Sequence, residues 1–369
     1  TCTTAAATEA EAASTAVAYI VGNFSDKIYT VPAAWALAFD NCASSLSCLG
    51  SASSGSNTWA SLIYHTSFAH ASEFWAAALV SDVAHFNAAS KVWAHCYGQI
   101  DMAARLKSTS WSQLFDPANL ADMTDLTAAA AAASNTWAFF FQSLATQMEV
   151  ASAAWTAVSV EPTTSQAWAA AFADMAMQTE FAMVTWANSF LGSTTDVSLN
   201  NAASASNSWV YTFNLMSSHG EALATIYASS LAALPTEQAY LDASDAWAAA
   251  FLQLAHSAVT ATAAWAEPFS IGGSQTLSAV GQGAIESATD AWAYVFRLIS
   301  SRAAGAAPHW GCAQCPGNWI AVVDYLLDAV TNANSPIVQW MVYLGMTSLP
   351  GSWQYAATTI GDDKASLAP

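Results

Sequence analysis

At 369 residues the chain is long enough for two ordinary domains or one extended repeat array, and either would bury a sizeable apolar core. Hydrophobic residues make up 54% and charged residues 9%, far below the roughly 25% of an ordinary soluble domain, so the surface is either covered by partners or dressed in Ser, Thr and Ala. The 26 acids against 7 bases, a net charge of −19, repel nucleic acid and anionic membrane surfaces, and the 12% aromatic content excludes intrinsic disorder.

Residues 1–57 read as an N-terminal segment with a short helix around Trp35-Ala-Leu-Ala-Phe39. Cys42 and Cys48 follow in a Ser-rich stretch, where a local disulfide and two packing thiols are both open readings. The sequon Asn23-Phe24-Ser25 stands at chance level in so Ser-rich a chain.

Residues 58–305 carry a recurrent pattern, Trp-Ala-x-x-Phe. Its copies start at Trp75, Trp93, Trp137, Trp168, Trp186, Trp209, Trp247 and Trp292, with some drift at the second and last positions. A further apolar residue often follows at i+7, as with Leu144, Met175, Met216, Leu254 and Ile299, and steps of 4 and 3 mark one face of an α-helix. A second Trp often stands eighteen residues after the first, which is five helical turns or about 27 Å, so both rings share one face of one long helix. Gly- and Pro-containing breakers such as Glu161-Pro162, Gly192, Leu234-Pro235 and Glu267-Pro268 close these segments. Helices are expected near 119–160, 164–191, 197–233, 238–266 and 284–304, a unit of roughly 31 to 45 residues. Small polar clusters before the Trp, such as Ser134-Asn135-Thr136, Ser206-Asn207-Ser208, Ser244-Asp245 and Thr289-Asp290, read either as N-caps or as places where helices approach closely. No alternating β-branched run competes. The fold class is therefore all-α, an irregular array of long antiparallel helices, with the motif aromatics buried.

Residues 306–369 form a less regular segment in which Trp319, Trp340 and Trp353 drop the motif. His309, Cys312 and Cys315 have the spacing of zinc ligands but lack a fourth, and Cys312 with Cys315 would equally close a local disulfide.

The 27 Å between paired Trp residues approaches the thickness of a bilayer core, and Ala246–Ala266 carries no formal charge. Equivalent segments carry Glu149, Asp174, Glu180, Arg297 or Arg302 near their centres, each costly in lipid, so peripheral or protein-covered helices are expected rather than a polytopic span.

One pattern goes beyond packing. Ten residues after a first Trp stand His85, Gln147, Gln178 and His219, and twelve residues after it stand Asn87, Glu149, Glu180 and Glu221. On a helix these lie at roughly −80° and +120° from the Trp stripe. They read as the polar margin of an amphipathic helix or as axial ligands of chlorophyll magnesium, with carotenoid as companion pigment. No Gly-x-Ser-x-Gly elbow is present, and Gly281-Gln-Gly283 lacks the third glycine of a dinucleotide loop. The expectation is a non-enzymatic scaffold or linker in a large membrane-associated assembly, first of all a photosynthetic antenna at the plastid thylakoid membrane, meeting other subunits through Trp/Phe helix faces. The alternative is a subunit of an extracellular or cell-surface filament or coat, glycosylated on Ser and Thr. A soluble enzyme on an α/α scaffold is a third class, for which no residue pair is singled out.

Overall fold

The structure is a computed structural model that describes residues 68–79, 83–117, 123–158, 160–231, 236–270, 278–311, 316–332, 335, 340 and 350–367. Among these residues the chain forms α1 (Phe68–Leu79), α2 (Val83–Ser112), α3 (Met123–Ala154), α4 (Pro162–Asn188), α5 (Asp196–Leu231), α6 (Glu237–Ala266), α7 (Ala279–Ala306), α8 (Pro316–Thr331) and α9 (Gly351–Leu367), with no strand. The all-α array expected from the periodicity is what folds. Trp35, the sequon at Asn23 and the cysteines 42, 48, 312 and 315 lie outside the described residues.

Local signals set the helix starts. Pro162 opens α4, where its missing N–H is harmless, and the Thr236 side chain accepts from the Ala239 N–H to cap α6. Ser278 accepts from the Val280 and Gly281 N–H groups, so α7 begins at Ala279, one and a half turns before the expected 284 despite Gly281 and Gly283 in its first turns. Gly311, with φ of 59°, supplies the left-handed residue that turns the chain after Trp310. The spacing of eighteen keeps two Trp residues on one helix in α2, α4 and α6. Trp75 and Trp93 depart from that expectation, because the two rings belong to separate helices, α1 and α2.

Every described helix except α8, which meets α6 and α9 about equally, packs most extensively not on its neighbour in sequence but on the next helix but one. Odd-numbered helices thus form one layer and even-numbered helices a second, with α8 and α9 also meeting each other at the C-terminal end. Within a layer the helices run parallel and in register. Trp168 of α4 bonds Ser90 of α2 and Trp186 bonds Ser108, both across 78 residues, and Trp209 and Tyr227 of α5 reach Ser134 and Ser152 of α3, both across 75. Since α4 and α6 run the same way and the links on either side of α5 are short, α5 must run back between them. Consecutive helices are antiparallel for that reason.

The core is aromatic. Among the described residues fourteen Trp are fully or almost fully buried, among them Trp137, Trp168, Trp209, Trp247 and Trp292, and the i+4 partners Phe141, Phe172, Phe213, Phe251 and Phe296 are buried with them. Each such burial is worth on the order of 2–3 kcal/mol. Where the layers meet, Gly220 of α5 leaves room for Phe172 of α4 and Phe251 of α6, since a Cβ there would stand 2.7 Å from Phe172 Cζ and 3.2 Å from Phe251 Cζ.

Candidate functional site

The repeated chemistry of the chain lies between same-layer helices. In each case a Trp Nε1–H donates to a hydroxyl three residues ahead of a Trp on the helix two before. Trp155 donates to Ser72 at 2.8 Å, Trp168 to Ser90 at 3.0 Å, Trp209 to Ser134 at 2.9 Å and Trp247 to Ser165 at 3.1 Å. Trp292 donates to Ser206 at 3.0 Å, Trp319 to Ser244 at 3.0 Å and Trp353 to Thr289 at 2.9 Å. The i+4 aromatic of the accepting helix stacks on the same indole, as Phe141 on Trp209 with centroids 5.7 Å apart and Phe251 on Trp319 at 5.4 Å. The small polar clusters are therefore not N-caps. Ser134, Ser206, Ser244 and Thr289 sit inside helices, buried, as acceptors for a neighbouring indole. The signal was available as Ser or Thr recurring three residues before Trp. Tyr227, eighteen residues after Trp209, takes the place of a second Trp, with its hydroxyl 3.1 Å from Ser152 Oγ.

The eight residues singled out as ligand candidates lie along the polar seams between same-layer helices, and most meet protein groups there. His219 of α5 places its imidazole against the Glu149 carboxylate of α3, with the Thr146 hydroxyl 3.3 Å from Nε2, so two candidates meet each other. Glu221 accepts from Arg302 of α7 at 2.5 Å, and Gly305 leaves space for that carboxylate. Asn87 is buried and ties α2 to the start of α4, donating to the Val83 carbonyl and accepting from the Glu161 N–H at 2.9 Å and the Thr164 hydroxyl at 2.8 Å. Glu180 is hydrogen-bonded by Ser257 and Thr260 of α6, and burial, opposed by those two bonds, raises its carboxyl above the usual range. The backbone carbonyl of Gln147 accepts from the Tyr97 hydroxyl at 3.2 Å, and His85 is half-buried on α2.

Gln178 differs. It is buried, its side-chain oxygen has no hydrogen-bond partner, and it lines a groove of about 450 Å3 between α2 and α4 together with Lys91, His95, Gly98, Asp174 and Met177. Asp174 stands at the mouth, where partial burial raises its carboxyl and His95 opposes the rise. Beneath it Asp101 is fully buried with neither carboxylate oxygen bonded, and burial first, then Asp174, holds its carboxyl well above the ordinary range. Burial and the neighbouring Asp101 push the Cys96 thiol up to about 12, so it is an inert packing group. Among the described residues no three His, Cys, Asp or Glu side chains gather as metal ligands. Among them, too, no helix is long and apolar enough to cross a membrane.

The two outer faces are unlike. Two residues after the Trp, the odd-layer helices α3, α5, α7 and α9 expose Phe139, Tyr211, Tyr294 and Tyr355 and α1 exposes Ala77, whereas even-layer helices expose His95, Ala170, Ala249 and Ala321. Comparisons of the chain with protein-family profiles, with curated proteins and with solved structures return no match.

Proposed function

We propose that the chain is a non-enzymatic helical scaffold or linker within a larger assembly. The observation that carries this reading is how the repeated polar groups are used: the motif Ser, Thr and Trp residues register one helix against another, producing a plate of fixed geometry. With motif Trp and Phe side chains used inside the chain, the weakly polar even-layer face, with Ala170, Ala249 and Ala321 exposed, is the surface offered to other subunits, because small side chains let a partner helix approach closely. A chain with only 9% charged residues has a weakly polar surface that gains by being covered.

The light-harvesting version of this reading adds a pigment, with chlorophyll and carotenoid as the class. Gln178 is the ligand candidate that supports it best, because it lines a groove and its buried amide oxygen has no hydrogen-bond partner, so a rotation of the side chain would present that oxygen to the groove. Isolation of the native chain without denaturant, followed by cross-linking and an absorption spectrum, tests both levels. A heteromeric complex with pigment bands that fade in Gln178→Leu is expected. A colourless complex removes the antenna version, and a stable partner-free monomer at high concentration removes the scaffold.

The filament or coat alternative, with Ser/Thr glycans, has less support. Pro316 and Pro350 occupy the acceptor position before Trp319 and Trp353, and Val323 and Ala357 the aromatic one, so α8 and α9 receive no further helix by the same chemistry.

A further inference from the structure

The seam between α2 and α4 exposes an apolar strip on the outer face of the even layer. Met102 is 38% exposed, Leu106 46% and Phe181 46%, with Met177 beside them in the groove wall. The equivalent positions on α6 and α8 are His256, Thr260, Asp328 and Asn332, so the strip does not continue across the layer. Two cations border it. The Arg105 guanidinium lies over the Phe181 ring at 5.4 Å, and Lys107 follows Leu106 on its other side. Acids outnumber bases 26 to 7 in the chain, and Lys91, Arg302 and Lys364 pair with Glu161, Glu221 and Asp324, yet among the described residues neither Arg105 nor Lys107 has a carboxylate partner. Further back along the seam the charge reverses. Asp174, with His95 at the same end of the groove, stands against Gly98, seven residues and about 10 Å before Arg105.

The outer face of α7 carries the complement. Glu286 and Asp290 are exposed and, among the described residues, make no ion pair, and Tyr294 is 43% exposed. Seven residues after Asp290, Arg297 lies over the rings of Tyr294 and Tyr355 at 4.9 and 4.7 Å. The two surfaces thus each hold an acid and then a base seven residues on, and these match when α7 runs antiparallel to α2 and α4. That is the relation the two layers already have within one chain, so a second copy reaches it by translation alone. Asp290 then faces Arg105 and Lys107, Arg297 faces Asp174, and Tyr294 lies between them on Met102 and Met177. With α7 over the α2–α4 seam, three helices of each face overlap. At 8–10 Å apart and about 40 Å long they present roughly 1,000 Å2 a side, more than the about 800 Å2 of a standard interface.

We propose that a second copy of this chain docks the outer face of its α7 on the α2–α4 seam. The two surfaces differ, so the contact does not close, and copies stack face to back in an open series. This rests on the scaffold reading and names one partner for it, and it competes with a pigment for the same groove. A chain that is monomeric by itself yet isolated with other subunits would end the stacking proposal and leave the scaffold standing.

Sedimentation of the purified full chain from micromolar to near-millimolar concentration, in low and in high salt, is the test. Mass is expected to rise past the dimer with concentration and to fall with salt. Lys107→Glu and Asp290→Lys should each weaken association about tenfold or more, and the double variant, which exchanges the two charges, should restore it. Asp328→Lys, on α8 outside the overlap, should leave association unchanged. Thermal melts check that every variant folds. The proposal is overturned if the parent stays monomeric, if its mass stops at the dimer, if the single variants associate like the parent, or if the double variant stays as weak as they are.

Discussion

Trp247 of α6 donates its indole N–H to Ser165 of α4 at 3.1 Å, while Trp265, eighteen residues later on the same helix, is buried with its N–H unpartnered. The difference is one residue. Three positions before Trp168 stands Ser165, and three before Trp186 stands Met183. Trp310 is unpartnered for the same reason, since the position three before Tyr227 is Ala224. The aromatic half of the pairing persists at Trp265, with Phe190 on it at 5.5 Å, but not at Trp310, where the i+4 position after Tyr227 is Leu231 and the ring contact comes instead from Tyr240 of α6 at 5.9 Å.

Ser165→Ala should therefore lower unfolding stability by about 1–3 kcal/mol, because it strands a buried indole N–H. Ala224→Ser, which places a hydroxyl where Trp310 has none, should raise it by about 0.5–1.5 kcal/mol. Urea titration of both variants measures the pair, and equal effects of like sign would refute the pairing rule.

Gly220→Ala tests the contact between layers. On an exposed helix that change stabilises by up to about 1 kcal/mol. Here the new methyl meets Phe172 and Phe251, both buried, so a net loss of about 1–3 kcal/mol is expected by chemical denaturation.

Asp101 makes stability depend on pH. Its folded-state carboxyl titrates well above its unfolded value of about 4, so the native state binds the extra proton between those two values. The contribution is fully present below about pH 4 and is lost as pH rises toward the folded pKa. The groups around it, Asp174 on α4 with Cys96 and Tyr97 on α2, offer no cation to offset the charge. Asp101→Asn should accordingly melt higher than the parent at pH 7 to 8 and converge with it below about pH 4. Melting curves across that range would show a constant difference if the carboxyl were instead ionised throughout.

The C-terminal helix acts as an end cap. Deleting residues 350–369 removes Trp353, uncovering Thr289 and the Phe296 ring that stacks on it at 5.3 Å. The truncated chain should bind a hydrophobic dye and unfold at lower denaturant than the full chain. Unchanged dye binding would mean that α9 only decorates the array.

Much of the architecture was legible in the residues alone. Trp at one position, an aromatic at i+4 and an apolar residue at i+7 can share a buried face only on a helix, and a second Trp eighteen residues on shares that helix in α2, α4 and α6, though not for Trp75 and Trp93. The breakers at Pro162 and Pro235 marked the starts of α4 and α6 to within two residues, whereas the Ser278 cap that starts α7 at Ala279, five residues before the expected 284, was not read. What no local rule contained was the partner of each helix. Antiparallel reversal puts the in-register neighbour two helices away, so the acceptor of Trp247 lies 82 residues back at Ser165, and hydroxyls that resemble N-caps become the buried half of a long-range bond. The offsets of His219, Glu149, Glu221 and Glu180 from their Trp residues were visible, but a position on a helix margin leaves open which group it faces. Only the packing of α3 against α5, of α5 against α7 and of α4 against α6 decided that Glu149 meets His219, Glu221 meets Arg302 and Glu180 meets Ser257, because a side chain's partner is set by the neighbouring helix rather than by its own.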